Sequence, residues 1–266
     1  MGVIEILGYI GALIIGVVLG LIGGGGSILT VPILVYLLAL NPVTATAYSL
    51  FVVGATSLVG AIKNMKNKQV DFRTAFVFAV PAFIAVYATR MYIVPAIPDH
   101  LFNIFGFEVT RSIGIMLFFA IIMIVSAISM IFNGNGKEEV EEKVSYNYPL
   151  IVIEGIAVGL LTGIVGAGGG FLIIPALVLL AKLPMKKAVA TSLLIIAIKS
   201  LIGFIGDIQN MEIDWVFLLI FTGLSIVGIF IGIYLSKFID GKKLKKSFGW
   251  FVLVMGIYIV YKELSK

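Results

Sequence analysis

The sequence predicts an all-α polytopic membrane protein built from two inverted-topology repeats. Three observations predict it: an apolar composition, apolar runs of bilayer length, and a gapless internal repeat. Hydrophobic residues are 61% of the 266 and charged residues only 12%, against roughly 45–50% and 25% in ordinary globular chains. A soluble domain could not cover so much apolar side chain with polar surface. The mean hydropathy of +1.16 agrees.

A bilayer core of about 30 Å needs about 20 helical residues. Eight runs qualify as spans: Val3–Ile22, Val43–Ile62, Phe72–Val94, Thr110–Phe132, Leu150–Val165, Lys187–Gly206, Trp215–Ser236 and Phe248–Leu264. Two more, Ser27–Leu40 and Gly170–Lys182, would reach only roughly 20 Å as helix. Each follows a glycine cluster, Gly23-Gly24-Gly25-Gly26 or Gly166-Ala167-Gly168-Gly169-Gly170. Each half is therefore expected to hold three spans and a Gly-broken helix pair, or eight full spans and two half-helices in all.

Setting residue n against n+143 from 16 to 71 gives 21 identities in 56 positions without a gap. They include Gly23/Gly166, Gly25/Gly168, Gly26/Gly169, Pro32/Pro175, Ser49/Ser192, Ser57/Ser200, Gly60/Gly203 and Asp71/Asp214. Shared hydrophobicity matches Leu with Ile by accident, but not glycines, serines and aspartates in register. The chain reads as a tandem duplication, with repeats at 1–132 and 149–266 around a polar linker at 133–148 (NGNGKEEVEEKVSYNY). Each half has an odd number of segments, so the second must lie upside down, as in many secondary transporters.

Charge placement tests the inversion. Of the 19 Lys and Arg, fourteen fall in loops on one predicted side: Lys63, Lys66, Lys68, Arg73, Lys137, Lys143, Lys182, Lys186, Lys187, Lys237, Lys242, Lys243, Lys245 and Lys246. The positive-inside rule places these in the cytoplasm, with both termini outside and the linker inside, in a cell (plasma) membrane. This sidedness explains the net charge of +5 without nucleic acid. No Lys or Arg precedes Lys63, so the first run lacks the basic start of a cleavable signal peptide and is expected to stay in the chain.

No cysteine and one histidine, His100 in an outer loop, leave no thiolate or His-rich metal site and no Cys nucleophile. No cofactor or catalytic residue is assigned. The glycine clusters are the main candidates. Backbone broken by glycine is tolerated at membrane depth only when buried in protein or lining a cavity. The helices starting at Ser27 and Gly170 would then aim their N-termini inward, which suits an anion; tight helix packing is the alternative. Gly23, Gly24, Gly25, Gly26, Ser27, Gly166, Gly168, Gly169 and Gly170 are accordingly candidate substrate-binding residues. On the following spans, Ser49, Thr56, Gly60 and Asn64 share one helical face, and Ser192, Lys199, Gly203 and Asp207 form the equivalent face. These stripes either line a path for a polar solute or pack helices together. Lys199, roughly 10 Å deep, holds an anion, pairs with Asp207, or snorkels outward. Glu154 is the candidate for a coupling proton, or else an interfacial carboxylate. Arg90 reads as an interface anchor near a span end, and Asp71 and Asp214 read as helix caps.

The paired breaks GLIGGGGSILTVPIL (20–34) and GIVGAGGGFLIIPAL (163–177), with NPVTATAYSL (41–50) and MKKAVATSLL (185–194), resemble the sulfite exporter TauE/SafE family along nearly the whole chain. The resemblance implies transport, often outward, of sulfite or small organosulfur anions. The expected partners are a small anion, the lipid bilayer and a coupling ion such as a proton. The sequence leaves the oligomeric state open. The expected function is a secondary transporter of small anions such as sulfite or organosulfonates, working by alternating access. An anion channel and a membrane subunit or anchor of a larger complex are the alternatives; an enzyme is not expected.

Overall fold

The computed structural model describes residues 3–24, 26–104, 107–132, 148–166, 169–179, 183–236, 238 and 241–265. Gly25, Gly168 and linker residues 133–147, all used in the sequence reading, lie outside the described residues. The fold is helical. In order come α1 (Val3–Ile22), α2 (Ser27–Pro32) with a π-helical turn at Ile33–Leu37, and α3 (Pro42–Lys66). Then follow α4 (Phe72–Ala88) with a π-helical turn at Thr89–Ile93, α5 (Val94–Ala96), and strands β1 (His100–Ile104) and β2 (Phe107–Thr110). The remaining helices are α6 (Arg111–Phe132), α7 (Tyr148–Val165), α8 (Gly170–Leu179), α9 (Met185–Ile208), α10 (Trp215–Leu235) and α11 (Gly241–Leu264).

Among the described residues, five helical segments are long and apolar enough to cross a bilayer: Pro42–Lys66, Phe72–Ala96, Arg111–Ser129, Lys187–Ile208 and Trp215–Leu235. The apolar helices Ile6–Ile22, Ser27–Leu37 and Pro149–Val165 are shorter, and α11 begins on a lysine-rich turn. Among the described residues, the departure from an all-α reading is the segment after α5, where β1 and β2 pair antiparallel.

The glycine break turns the chain back on itself. A Cβ on Gly26 would strike α1 at Ile15 and Leu19, while Gly11 faces Ile33 and Gly8 faces Leu38. The short arm therefore runs back along α1 towards its start. Both breaks share the same bonds. Gly23 N–H donates to the Leu19 carbonyl at 2.7 Å, as Gly166 N–H does to Thr162 at 2.8 Å. Both glycines have positive φ, +78° and +71°, a region where any other residue would be strained. The two arms end alike as well, with Leu40 N–H on the Leu34 carbonyl and Leu183 N–H on Leu177, both 3.0 Å.

Helix pairing is unchanged when the halves are exchanged. α1 packs on α10 as α7 packs on α4, and α3 packs on α10 as α9 packs on α4; α3 pairs with α9, and α6 with α11. Small residues permit the closest approaches. A Cβ at Gly16 would overlap the Ser225 carbonyl, and one at its equivalent Gly159 would overlap that of Ala82. In the α3–α9 pair, Gly60 meets Leu193, Gly54 meets Leu201 and Gly203 meets Leu50, so these helices run antiparallel. Their ends are tied by equivalent bonds: Asp71 N–H donates to Thr191 Oγ1 at 2.9 Å, and Asp214 N–H to Tyr48 Oη at 2.7 Å. Both aspartates also cap, accepting from Thr74 N–H at 2.8 Å and Phe217 N–H at 3.0 Å.

α3 and α9 form the centre. Their most apolar windows are 72% buried, against 39% in the α4, α6 and α10 segments. The outer helices instead present apolar stripes, such as Phe72, Phe76, Val80 and Ile84 on α4. The spacing of four keeps that stripe on one face, the arrangement expected where lipid replaces water.

Candidate functional site

The two breaks meet at the centre. A Cβ on Gly24 would strike the backbone of Gly170, and one on Gly170 the backbone of Gly24. Each break also presses on the central helix of the other half, Gly23 on Val189 and Gly166 on Thr46, which are equivalent contacts.

Their polar surroundings differ. At the first break the carbonyls are taken by hydroxyls: Ser27 Oγ donates to Gly24 at 2.7 Å and Ser192 Oγ to Gly23 at 3.1 Å. At the second break the neighbours are cations. Lys199 is fully buried, and its Nζ donates to Thr162 Oγ1 at 2.8 Å. A Cβ on Gly169, whose φ is +68°, would lie 2.8 Å from that Nζ. Snorkelling is thereby overturned: the ammonium is held inside, against the turn that opens α8. Nor does it pair with Asp207, whose carboxylate lies 3.6 Å from Arg90 Nη1.

Arg90 is the correction that matters most. It is no interface anchor but fully buried, donating from Nη1 to Thr46 Oγ1 at 3.0 Å. Position along the span placed it near an end, yet α4 continues through the π-helical turn at Thr89–Ile93 and α5. That turn packs against α7 and α9, with Gly206 of α9 against the Arg90 Cβ. One signal could have found it: the residue equivalent to Arg90 is Ile233, as that equivalent to Lys199 is Thr56. Each cation within a span thus has no charged counterpart in the other repeat.

Both stripes are buried. On α3, Ser49, Thr56 and Asn64 lie inside, and on α9 so do Ser192, Lys199 and Asp207. The glycines of the stripes serve packing, Gly60 against Ile229 and Leu193 and Gly203 against Val86 and Leu50. The hydroxyls of Ser49, Thr56, Ser57 and Ser200 are buried without a hydrogen-bond partner among the described residues. Glu154, on α7, is partly exposed. Two surface pockets, about 380 Å³ by Ile124 and Ile257 and about 340 Å³ by Asn41, Asp99 and Arg111, contain no candidate residue.

Comparison with known proteins points to membrane transporters. The chain is 28% identical over 277 residues to the probable membrane transporter protein YunE of Bacillus subtilis, covering 94% of this chain and 95% of that protein. It is 26% identical over 255 residues to a probable membrane transporter protein of Xylella fastidiosa, covering 94% and 92%. A 117-residue stretch is 36% identical to the probable membrane transporter protein MJ0441 of Methanocaldococcus jannaschii, covering 42% and 44%. No solved structure matches the chain. Residues 9–259 match the sulfite exporter TauE/SafE family, and the chain, a multi-pass membrane transporter by its helices and its relatives, belongs to that family.

Proposed function

We propose that the protein is a secondary transporter of small anions, of the sulfite and organosulfonate class, that works by alternating access between two inverted repeats. The observation that carries the reading is Lys199, an ammonium with no exposure fixed beside the glycine turn that opens α8. Such a charge is costly at membrane depth unless it serves a polar partner. The first N–H groups of a helix also lack intrahelical acceptors, so α8 adds partial positive charge at the same place.

The inverted arrangement is supported by the antiparallel α3–α9 pair and by the exchanged bonds at Asp71 and Asp214. Two repeats that swap conformations would expose the meeting point of the breaks to each side in turn. The unpartnered hydroxyls of Ser49, Thr56, Ser57 and Ser200 lie on the two central helices and would line such a path when they separate. The direction in the cell is proposed to be outward, as the family's description implies.

Counterflow tests the reading. Purified protein in liposomes preloaded with unlabelled sulfite should accumulate labelled sulfite transiently above equilibrium. Simple equilibration without overshoot would indicate a channel. Impermeability to sulfite and to small sulfonates would remove the substrate class.

A further inference from the structure

We infer that Arg90 is a second anion-binding residue, presenting the side-on edge of its guanidinium, Nε and Nη2, to two oxygens of an oxyanion held also by Lys199. The inference rests on the small-anion reading above and names the group that the site recognises.

Three observations carry it. First, only one nitrogen of Arg90 is used: Nη1 donates to Thr46 and faces Asp207. Nε and Nη2 are buried with no hydrogen-bond partner among the described residues. These two N–H groups are parallel and match the spacing of two oxygens on one sulfur or carbon, which is why arginine recognises oxyanions in bidentate fashion. An unmet donor pair of this kind in a buried site calls for an acceptor.

Second, both cations reach the same turn. Arg90 bonds Thr46, against which Gly166 is pressed. Lys199 bonds Thr162, whose carbonyl accepts the Gly166 N–H, and it lies against Gly169. The two approach the turn through different helices, α4 with α3 on one side and α7 with α9 on the other.

Third, the charges do not balance. The described residues buried around the turn include Arg90 and Lys199 but only one carboxylate, Asp207; the other buried carboxylate, Glu263, bonds Tyr36. A buried excess of positive charge is strongly unfavourable unless an anion answers it. Asp207 leaves Oδ2 unpartnered and touches Arg90 only through Nη1, so it does not compete for the side-on edge. The arrangement predicts selection of two-oxygen groups (sulfite, sulfonate, carboxylate) over monatomic anions, which cannot span the fork.

The test titrates sulfite, methanesulfonate and bromide against purified full-length protein at matched ionic strength, following thermal unfolding. Wild type should bind both oxyanions more tightly than bromide; equal affinities would overturn the inference with no variant needed. Arg90→Lys keeps the charge and removes the fork, so sulfite binding should weaken about ten- to a hundredfold while bromide binding is unchanged. Wild-type sulfite affinity in Arg90→Lys would overturn the role of Arg90 and leave the transporter reading standing. Arg90→Met combined with Asp207→Asn removes the ion pair as a unit and guards against a folding defect. A folded double variant without oxyanion binding supports the inference, and one that binds normally reduces Arg90 to a structural pin. A wild type that responds to none of the three anions would sink this inference and the small-anion reading together.

Discussion

Replacing Lys199 by Met should weaken anion binding and leave folding intact. The side chain is fully buried, and its one described hydrogen bond is to Thr162 Oγ1 at 2.8 Å. Thr162 retains a partner without it, since its hydroxyl also lies 2.6 Å from the Val158 carbonyl. Met has similar bulk and no charge to desolvate, so the ligand-free variant should unfold no earlier than wild type. Binding is a different matter. A charge-assisted hydrogen bond contributes about 1.5–3 kcal/mol, or roughly ten- to a hundredfold in affinity. At sulfite near a hundred times the wild-type Kd, wild type gains about 2.7 kcal/mol of stability by mass action, whereas a variant with hundredfold weaker affinity gains only about 0.4 kcal/mol. Thermal unfolding in detergent, with and without sulfite at constant ionic strength, resolves that gap. A Met variant that is less stable but equally responsive to sulfite would refute the reasoning and make Lys199 a packing residue.

Gly169→Ala should strike the same site from the backbone, because it imposes about 1–2 kcal/mol of strain at positive φ and crowds the Lys199 ammonium; loss of sulfite binding in a variant that still purifies folded is the expected result. Gly16→Leu should destabilise strongly because its Cβ would overlap the Ser225 carbonyl of α10, whereas Gly223→Leu, with nothing within 4 Å of its Cβ, should unfold as wild type does. Comparing the two by thermal melting checks the α1–α10 packing, and equal melting would contradict it.

Much of the fold was legible because glycine and aspartate positions report backbone geometry directly. The offset of 143 paired Gly23 with Gly166, both at positive φ, and the aspartates before Phe72 and Trp215 cap as expected. Lysines in the first turns of α11 read as loop charge, yet lysine is a good helix former, and the helix begins at Gly241. The β1–β2 hairpin was hidden in a loop too short to show a pattern. At the site, Lys199 was visible as a charge within a span, while Arg90 was not, because distance along a helix measures depth and not enclosure. Its burial comes from α7 and α9, which lie far away in sequence, and from a π-helical turn with no local signature. The differing treatment of the two breaks, hydroxyls at one and cations at the other, combines a residue of each break's own half, Ser27 or Lys199, with one from the opposite half, Ser192 or Arg90.

The inverted relation of the halves is tested most directly at one pair of equivalent residues, Asn67 and Asn210. Both are exposed, follow the ends of α3 and α9, and donate N–H to equivalent carbonyls, Asn64 and Asp207. The chain has no cysteine, so Asn67→Cys and Asn210→Cys each introduce a unique thiol. In intact cells a membrane-impermeant maleimide should label the cysteine at 210 at once and that at 67 only after permeabilisation. Labelling of both from the same side would contradict the inverted repeat and the alternating-access account built on it.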